Sequence, residues 1–222
     1  VWQPDGGSSS RIGWTLRGGK RVSQFNKENP ISPLMNSIYT LVQRRNYMKI
    51  YENYFGEIMM NKRFDNDLRF TARLLYEDRI PLENTSDFSI FKDKDKVFTP
   101  NFPFEKINEQ FIRHQAVIAS AEIQYQPGQR YIQYPRYKMA IGSKYPTFAL
   151  SYVAGLDKIL GSDVKFGKWK FSFWDDLNLK LKGLLKYRFS VGGFLSDAKV
   201  PIHDYQHFNG NQTMFASAYL NS

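Results

Sequence analysis

The chain has 222 residues, with 31 Lys and Arg against 21 Asp and Glu, and a net charge of +10. It contains no cysteine, which excludes disulfides, thiol catalysis and Cys-ligated zinc. Mean hydropathy is -0.50, and no window approaches the ~20 apolar residues of a membrane-spanning helix. The composition excludes a helical membrane protein but not a β-barrel, in which alternate residues of each strand face water.

The excess of positive charge is compatible with binding to nucleic acid or to an anionic surface. The basic residues are dispersed, however, and no run of five or more like charges occurs. The sequence also lacks an identifiable sheet face that combines aromatic and basic side chains, as a nucleic-acid platform requires. We therefore expect no nucleic-acid partner.

Neither end of the chain resembles the end of a complete protein. The chain begins at Val1, without an initiator methionine or the apolar core of a secretory signal. It stops at Ser222, within an alternating pattern. We expect the chain to be a piece of a longer protein, and we expect residues 1–10, which are rich in Gly and Ser, to be a flexible segment.

Alternation of apolar and polar residues predicts that most of the chain forms β-strands. A short strand begins at Ile12 and is interrupted at Gly18 and Gly19. A short helix is predicted at 34–45, where apolar residues recur at helical spacing. Further strands are predicted at 47–60, 66–77, 113–126, 130–141, 147–155 and 164–174.

The longest alternating stretch runs from Leu177 to Val191. Its odd-numbered positions are apolar or glycine, and its even-numbered positions are polar except for Leu184. The pattern predicts one long strand, preceded by a turn at Asp175–Asp176. Strands in soluble proteins usually have about 5 or 6 residues, whereas a barrel strand carries one face toward lipid and one toward a wet lumen. The stretch therefore favours a membrane barrel.

The predicted fold is all-β: an antiparallel transmembrane β-barrel, incomplete in this chain, with a short helix near the N-terminal third. Residues 11–222 form this part of the barrel, and strands joined by short turns must be antiparallel. Two long loops are predicted near 78–110 and 192–212. Loops of this length are unusual in a compact soluble domain and ordinary on the rim of a barrel.

A candidate metal site lies in the string His203-Asp204-Tyr205-Gln206-His207, because imidazoles at i and i+4 share one face of a helix. Pro201 and Gly210 favour a loop instead, and no zincin-type glutamate lies between the histidines. We expect no metal and no other cofactor, with His203 and His207 as the candidate ligands. No nucleophile motif accompanies the histidines, so we expect no catalytic residue and no enzymatic activity.

A cationic stripe is predicted on the polar side of the long alternating stretch, formed by Lys180, Lys182, Lys186 and Arg188. On one strand, residues two positions apart lie about 6 to 7 Å from each other. A stripe of this kind on a lumen wall would attract anionic solutes. The alternative is that these side chains pair with acidic residues of other strands, such as Glu122.

Five strings, taken together with their order and spacing, resemble a known family. The strings are Asn46–Glu52, Pro81–Asp87, Gln126–Ile132, Gly161–Val164 and His207–Asn211. From about residue 29 to residue 211, the chain is similar to Bacteroidota outer-membrane barrel proteins of uncharacterised function that carry an N-terminal carboxypeptidase-regulatory-like domain.

The resemblance implies a periplasmic β-sandwich module, absent from this chain, ahead of a barrel distantly similar to surface-antigen barrels. It implies a place in the bacterial outer membrane, with lipid, lipopolysaccharide and other outer-membrane proteins as partners. It supplies no catalytic residue. The expected role is structural, transport-related or accessory to an outer-membrane assembly or export complex. The alternative is a soluble lipocalin-like or sandwich β-protein that binds a lipid or an anionic ligand.

Overall fold

A computed structural model describes residues 12–26, 30–64, 67–84, 88–91, 97–101, 111–134 and 138–205. These residues include one α-helix, α1 (Pro33–Gln43). The strands are β1 (Ile12–Gln24), β2 (Ile50–Arg63), β3 (Arg69–Pro81), β4 (His114–Tyr125), β5 (Arg130–Gln133), β6 (Lys138–Gly142), β7 (Thr147–Gly155), β8 (Lys165–Asn178) and β9 (Leu184–Lys199).

Seven strands form one sheet in the order β1-β2-β3-β4-β7-β8-β9, and β5 pairs with β6 in a separate sheet. The pairs β4–β7, β7–β8 and β8–β9 are antiparallel. Within the described ranges the large sheet is not closed, because β1 and β9 each have a neighbour on one side only. The predicted all-β class, the antiparallel sheet and its incompleteness are confirmed.

The short helix predicted at 34–45 is also confirmed, as α1. Pro33 lies in its first turn, where the N–H that proline lacks would have no helical acceptor. The helix ends at Arg44, which adopts the left-handed conformation (φ 59°) and whose N–H donates to the Thr40 carbonyl. In the parts of the chain that the structure describes, no helix is long and apolar enough to cross a membrane.

The stretch 177–191 is not one strand, contrary to the prediction. β8 ends at Asn178, a 3-10 turn covers Lys180–Lys182, and β9 begins at Leu184. Gly183 follows the turn with φ 101°, a conformation that favours glycine. Asn178 pairs with Leu184 across the turn. Both residues have even numbers, so the alternation stays in phase from β8 into β9 and does not reveal the turn.

Three further boundaries are corrected. The turn predicted at Asp175–Asp176 lies inside β8, where the paired strand β9 keeps the backbone extended. The loop predicted near 78–110 starts later, because β3 continues to Pro81. The loop predicted near 192–212 also starts later, because β9 continues to Lys199.

Two predicted strands also change. β1 continues through Gly18–Gly19 to Gln24, since its neighbour β2 supplies pairing that local propensity does not. The strand predicted at 130–141 is instead the antiparallel pair of β5 and β6. The flexible segment predicted at 1–10 lies outside the described residues.

Packing divides the chain into two compact units. Unit 1 comprises Val1–Gly18, Gly56–Tyr76 and Ala116–Lys199. Unit 2 comprises Gly19–Phe55, Glu77–Gln115 and Val200–Ser222. Unit 1 contains β5 to β9, and unit 2 contains α1.

Few apolar side chains are buried in the described part of each unit. In unit 1, Val164 and Phe166 are buried. The Ser162 hydroxyl accepts the Val117 N–H at 3.1 Å, which connects the segment before β8 to β4. In unit 2, Phe25 and Tyr51 are buried beside charged side chains. Soluble domains bury apolar side chains and seldom fully bury charged ones. The described part of this chain departs from that rule, and its large apolar side chains are mostly exposed.

Candidate functional site

The register of β4, β7, β8 and β9 in unit 1 sorts their side chains onto two faces. On one face, Ile123 lies opposite Leu150, which lies opposite Phe171. Phe171 in turn lies opposite Val191. Because alternate residues of a strand share a face, this apolar face extends along all four strands. Asp175 interrupts it near the β8–β9 turn, and Lys165 and Ser196 lie at its opposite end. Its members include Ala119, Ala121, Ile123, Tyr125, Phe148, Leu150, Tyr152, Ala154, Trp169, Phe171, Phe173, Leu177, Leu185, Tyr187, Phe189 and Val191.

The apolar face is exposed. The exposed fraction is 51% for Leu150, 49% for Leu185 and 54% for Phe189. Aromatic rings on this face contact each other across strands, with the centroids of Phe173 and Phe189 5.3 Å apart. Leaving apolar surface in water costs about 25 cal/mol per Å². A continuous apolar face of this kind is therefore a surface for contact with other apolar material.

The opposite face of the same strands is polar. Across β8 and β9, the hydroxyls of Ser172 and Ser190 lie 2.9 Å apart. On the same face, Asp176 of β8 lies directly opposite Lys186 of β9. The polar residues of the face include Ser120, Glu122, Gln124, Thr147, Ser151, Lys168, Lys170, Ser172, Asp176, Asn178, Lys186, Arg188 and Ser190. Apolar side chains are interspersed among them, such as Val153, Trp174 and Leu184.

The parts of β1 to β3 that belong to unit 1 repeat this division. Trp14 and Leu16 on β1 are 66% and 75% exposed. Glu57 on β2 points to the other side and is 5% exposed. It accepts hydrogen bonds of 2.9 and 2.6 Å from Arg73 on β3, and Arg17 on β1 lies 3.8 Å away. The polar side of these strands is thus held together by charge-assisted hydrogen bonds.

The four residues of the predicted cationic stripe do not share one strand. Lys180 and Lys182 lie in the turn that joins β8 to β9. Lys186 and Arg188 lie on β9, on the polar face. The prediction of a single-strand stripe is wrong because the continuous alternation concealed the turn.

The basic side chains on the polar face come from two strands. The ammonium of Lys186 lies 3.4 Å from the carboxylate of Asp176 on β8, whereas the expected partner Glu122 lies on β4. The Arg188 guanidinium lies 4.8 Å from the ring centroid of Trp174, a cation–π contact. The alternation within β8 also places two lysines on this face that the stripe omitted, Lys168 and Lys170.

A charged cluster is buried within unit 2. Arg79 is fully buried and donates to both carboxylate oxygens of Asp204, at 2.7 and 3.1 Å, and to Glu77 at 2.9 Å. Glu77 also accepts from Arg21 at 2.9 Å and from Asn53 at 2.8 Å. Two positive and two negative charges are thereby balanced, the condition under which buried charges are tolerated.

His203, which the sequence offered only as a candidate metal ligand, packs among aromatic rings of unit 2. Its ring centroid lies 4.3 Å from that of Phe25, 4.6 Å from Tyr51 and 4.4 Å from Phe111. The second candidate ligand, His207, lies outside the described residues. Among those described, no group of three or more His, Cys, Asp or Glu side chains has the arrangement to hold a metal ion.

Together these features define a mostly β protein with an open antiparallel sheet. In unit 1, one face of this sheet is apolar and the other is mainly polar. Comparison with protein families extends this description, because residues 6–222 match the C-terminal domain of a family of unknown function (DUF5686). The chain belongs to that family. Neither the curated proteins nor the solved structures include a match to the chain.

Proposed function

We propose that the chain is part of an integral β-barrel of a bacterial outer membrane and that its role is non-enzymatic. The barrel serves a structural or transport role, or assists an outer-membrane assembly or export complex. The observation that carries this proposal is the exposed apolar face that β4, β7, β8 and β9 form in register. Lipid is the apolar material that would cover it.

Strand length supports placement in a membrane. A transmembrane strand needs about 9 to 11 residues. The four strands of the apolar face range from 9 residues in β7 to 16 in β9. The backbone N–H and C=O groups of neighbouring strands are hydrogen-bonded to each other. This pairing is necessary in a bilayer, because hydrocarbon offers no hydrogen-bond partners.

The polar face would line the lumen of the barrel. Lumen walls carry polar and charged side chains because they contact water. The Arg73–Glu57 pair and the Lys186–Asp176 pair both lie on this side. Lysines and Arg188 give this surface a positive potential, which favours anionic solutes over cationic ones.

The partners in this proposal are lipid and lipopolysaccharide around the barrel, and other outer-membrane proteins in a complex. Nucleic acid is not among them. The rival class is a soluble β-protein that binds a lipid or an anion. Such a protein turns its apolar face toward its own interior, whereas Leu185 and Phe189 are about half exposed in the described structure, at 49% and 54%.

Folding from urea separates the two classes. The unfolded chain is diluted into buffer alone, into nonionic detergent and into phospholipid vesicles. We expect a folded β-sheet signal only with detergent or vesicles, because only these cover the apolar face. A monodisperse, folded protein in buffer alone would support the soluble class and remove the proposal.

A pair of lysine substitutions tests the two faces separately. We expect Phe171→Lys, on the apolar face, to destabilise the vesicle-folded protein by about 2 to 4 kcal/mol. Ser190→Lys, on the polar face of the adjacent strand, is expected to change stability by less than about 1 kcal/mol. Phe171→Leu controls for the loss of the ring. Urea midpoints in vesicles measure the difference, and equal effects of the two lysines would contradict the assignment of faces.

A further inference from the structure

A polar cavity of about 110 Å³ lies in unit 1, beside the turn that joins β2 to β3 and the turn that follows β4. Its volume corresponds to roughly three or four water molecules. Two arginines, three glutamines and one aspartate line it: Arg63, Arg69, Gln124, Gln126, Gln129 and Asp67.

Some of the polar groups that line the cavity form hydrogen bonds with other groups of the protein. Arg63 donates to the Asp67 carboxylate at 3.0 Å and lies 3.4 Å from the Tyr131 hydroxyl. Gln126 donates to the Tyr145 carbonyl at 3.4 Å. The Arg63 charge is therefore neutralised locally by Asp67.

The remaining lining groups are not engaged. Among the described residues, the side chains of Arg69, Gln124 and Gln129 make no hydrogen bond or ion pair. They bring one guanidinium with five N–H donors and two carboxamides with two donors each to one small cavity. The cavity thus has an excess of one positive charge, and several of its donors have no acceptor among the described protein groups. Arg63 and Arg69 are exposed, so an anion can reach them from solvent.

We propose that this cavity binds a phosphate-type oxyanion. A guanidinium forms paired hydrogen bonds with two oxygens of a phosphate, and these charge-assisted bonds are about twice as strong as neutral ones. Carboxamide N–H groups satisfy further oxygens. The cavity volume of about 110 Å³ is sufficient for a single phosphate group. Its position in unit 1 does not depend on placing the sheet in a membrane.

The phosphate can come from two sources, the free anion or the headgroup of a lipid. Both use the same recognition chemistry at Arg69. The experiment therefore has two arms: inorganic phosphate, and phosphatidic acid in mixed micelles. Diacylglycerol with the same acyl chains is the control for the lipid arm, because it lacks the phosphate.

The whole chain, folded in nonionic detergent, is titrated in each arm while tryptophan fluorescence follows its thermal midpoint. Ionic strength is held constant with chloride. A ligand that binds only the folded state raises the midpoint in a saturable way. We expect saturation with at least one of the two phosphate sources, and none with chloride or diacylglycerol.

Three variants connect the binding to the cavity. Arg69→Gln is expected to weaken binding by about tenfold or more, because it removes the charge and the paired donors. Arg69→Lys keeps the positive charge but loses the paired N–H donors of the guanidinium. It is therefore expected to weaken binding less than Arg69→Gln does. Lys182→Gln removes the same charge from the exposed β8–β9 turn and is expected to leave binding unchanged.

The results of these titrations either identify the source of the bound phosphate or contradict the proposed phosphate site. Stronger binding of phosphatidic acid identifies a lipid headgroup as the ligand, and stronger binding of inorganic phosphate identifies the free anion. No saturable shift in either arm overturns the proposal. Equal binding by Arg69→Gln and the unmodified protein does so too, because the phosphate would then bind elsewhere.

Discussion

Arg79 and Asp204 form an ion pair with two hydrogen bonds, at 2.7 and 3.1 Å, although 125 residues separate them in the sequence. Arg79 is fully buried and Asp204 is 6% exposed. The pair connects the 3-10 turn Ile202–Asp204 to β3 within unit 2. It holds the segment after β9 in a defined position there.

Loss of the Asp204 charge is expected to destabilise the protein. In Asp204→Asn, Arg79 keeps Glu77 as a partner, but the buried cluster gains an uncompensated positive charge. Breaking a buried pair by removing one partner is strongly destabilising, so we expect a loss of about 3 kcal/mol in the free energy of unfolding. Urea unfolding in detergent micelles measures this loss.

The matched control for that experiment is Asp176→Asn. Its partner Lys186 is 70% exposed, and Asp176 itself is 55% exposed. Exposed pairs contribute about 0 to 1 kcal/mol, so this variant is expected to unfold almost like the unmodified protein. Similar losses for both substitutions would show that the cluster around Arg79 is not buried.

Adjacent glycines on β9 are expected to respond differently to substitution by alanine. A Cβ on Gly192 would lie 2.5 Å from the Trp169 carbonyl oxygen and 3.1 Å from the Lys170 Cα, which are backbone atoms of the paired strand β8. We expect Gly192→Ala to separate these strands locally and to destabilise by about 1 to 3 kcal/mol.

The control for that substitution is Gly193→Ala, at the next position of the same strand. The nearest atom to a Cβ there is the Trp169 indole nitrogen at 3.9 Å, an ordinary contact distance. This variant is expected to be neutral or stabilised by about 0.5 to 1 kcal/mol, because alanine loses less backbone entropy on folding. If Gly192→Ala were the milder of the two, the β8–β9 register would be incorrect.

The β8–β9 turn is testable through Leu181. This residue lies in the turn and is completely exposed, whereas one continuous strand would place it on the apolar face. The chain has no cysteine, so Leu181→Cys introduces a unique thiol. We expect rapid labelling by a charged maleimide in the vesicle-folded protein. The matched variant Phe173→Cys, on the apolar face, is expected to be protected, and protection at both positions would favour the single strand.

Alternation of apolar and polar residues in the sequence was enough to predict most of the sheet. It located β3, β4 and β7 within a few residues and assigned their faces, because a strand with two different surroundings must carry two kinds of side chain. It did not locate the turn after Asn178, because pairing with Leu184 keeps the same phase on both strands. The local signal for that turn is Gly183, which takes an apolar position of the alternating pattern and adopts a φ of 101°.

The buried cluster of unit 2 was not predictable from the sequence. Its pattern is not periodic, and it joins Arg79 to Asp204 across several strands. The sequence drew attention to Asp204 only as the neighbour of His203. What selects Asp204 as the partner is the fold that brings the turn after β9 to β3. Ion pairs between residues far apart in the sequence depend on the tertiary structure, and local sequence patterns do not indicate which residues will pair.

Depth-sensitive quenching along β9 tests most directly whether hydrocarbon covers the apolar face. Single cysteines replace Tyr187 and Phe189 on the apolar face, and Arg188 and Ser190 on the polar face. Each thiol carries an environment-sensitive dye, and the protein is folded in vesicles that contain lipids brominated on their acyl chains. The two faces alternate along these four consecutive positions, so the average positions of the two pairs differ by only about 3.4 Å along the strand.

Strong quenching after Tyr187→Cys and Phe189→Cys, with little quenching after Arg188→Cys and Ser190→Cys, is the expected result. Uniform quenching, no quenching, or quenching confined to the polar face would contradict the membrane placement of this sheet.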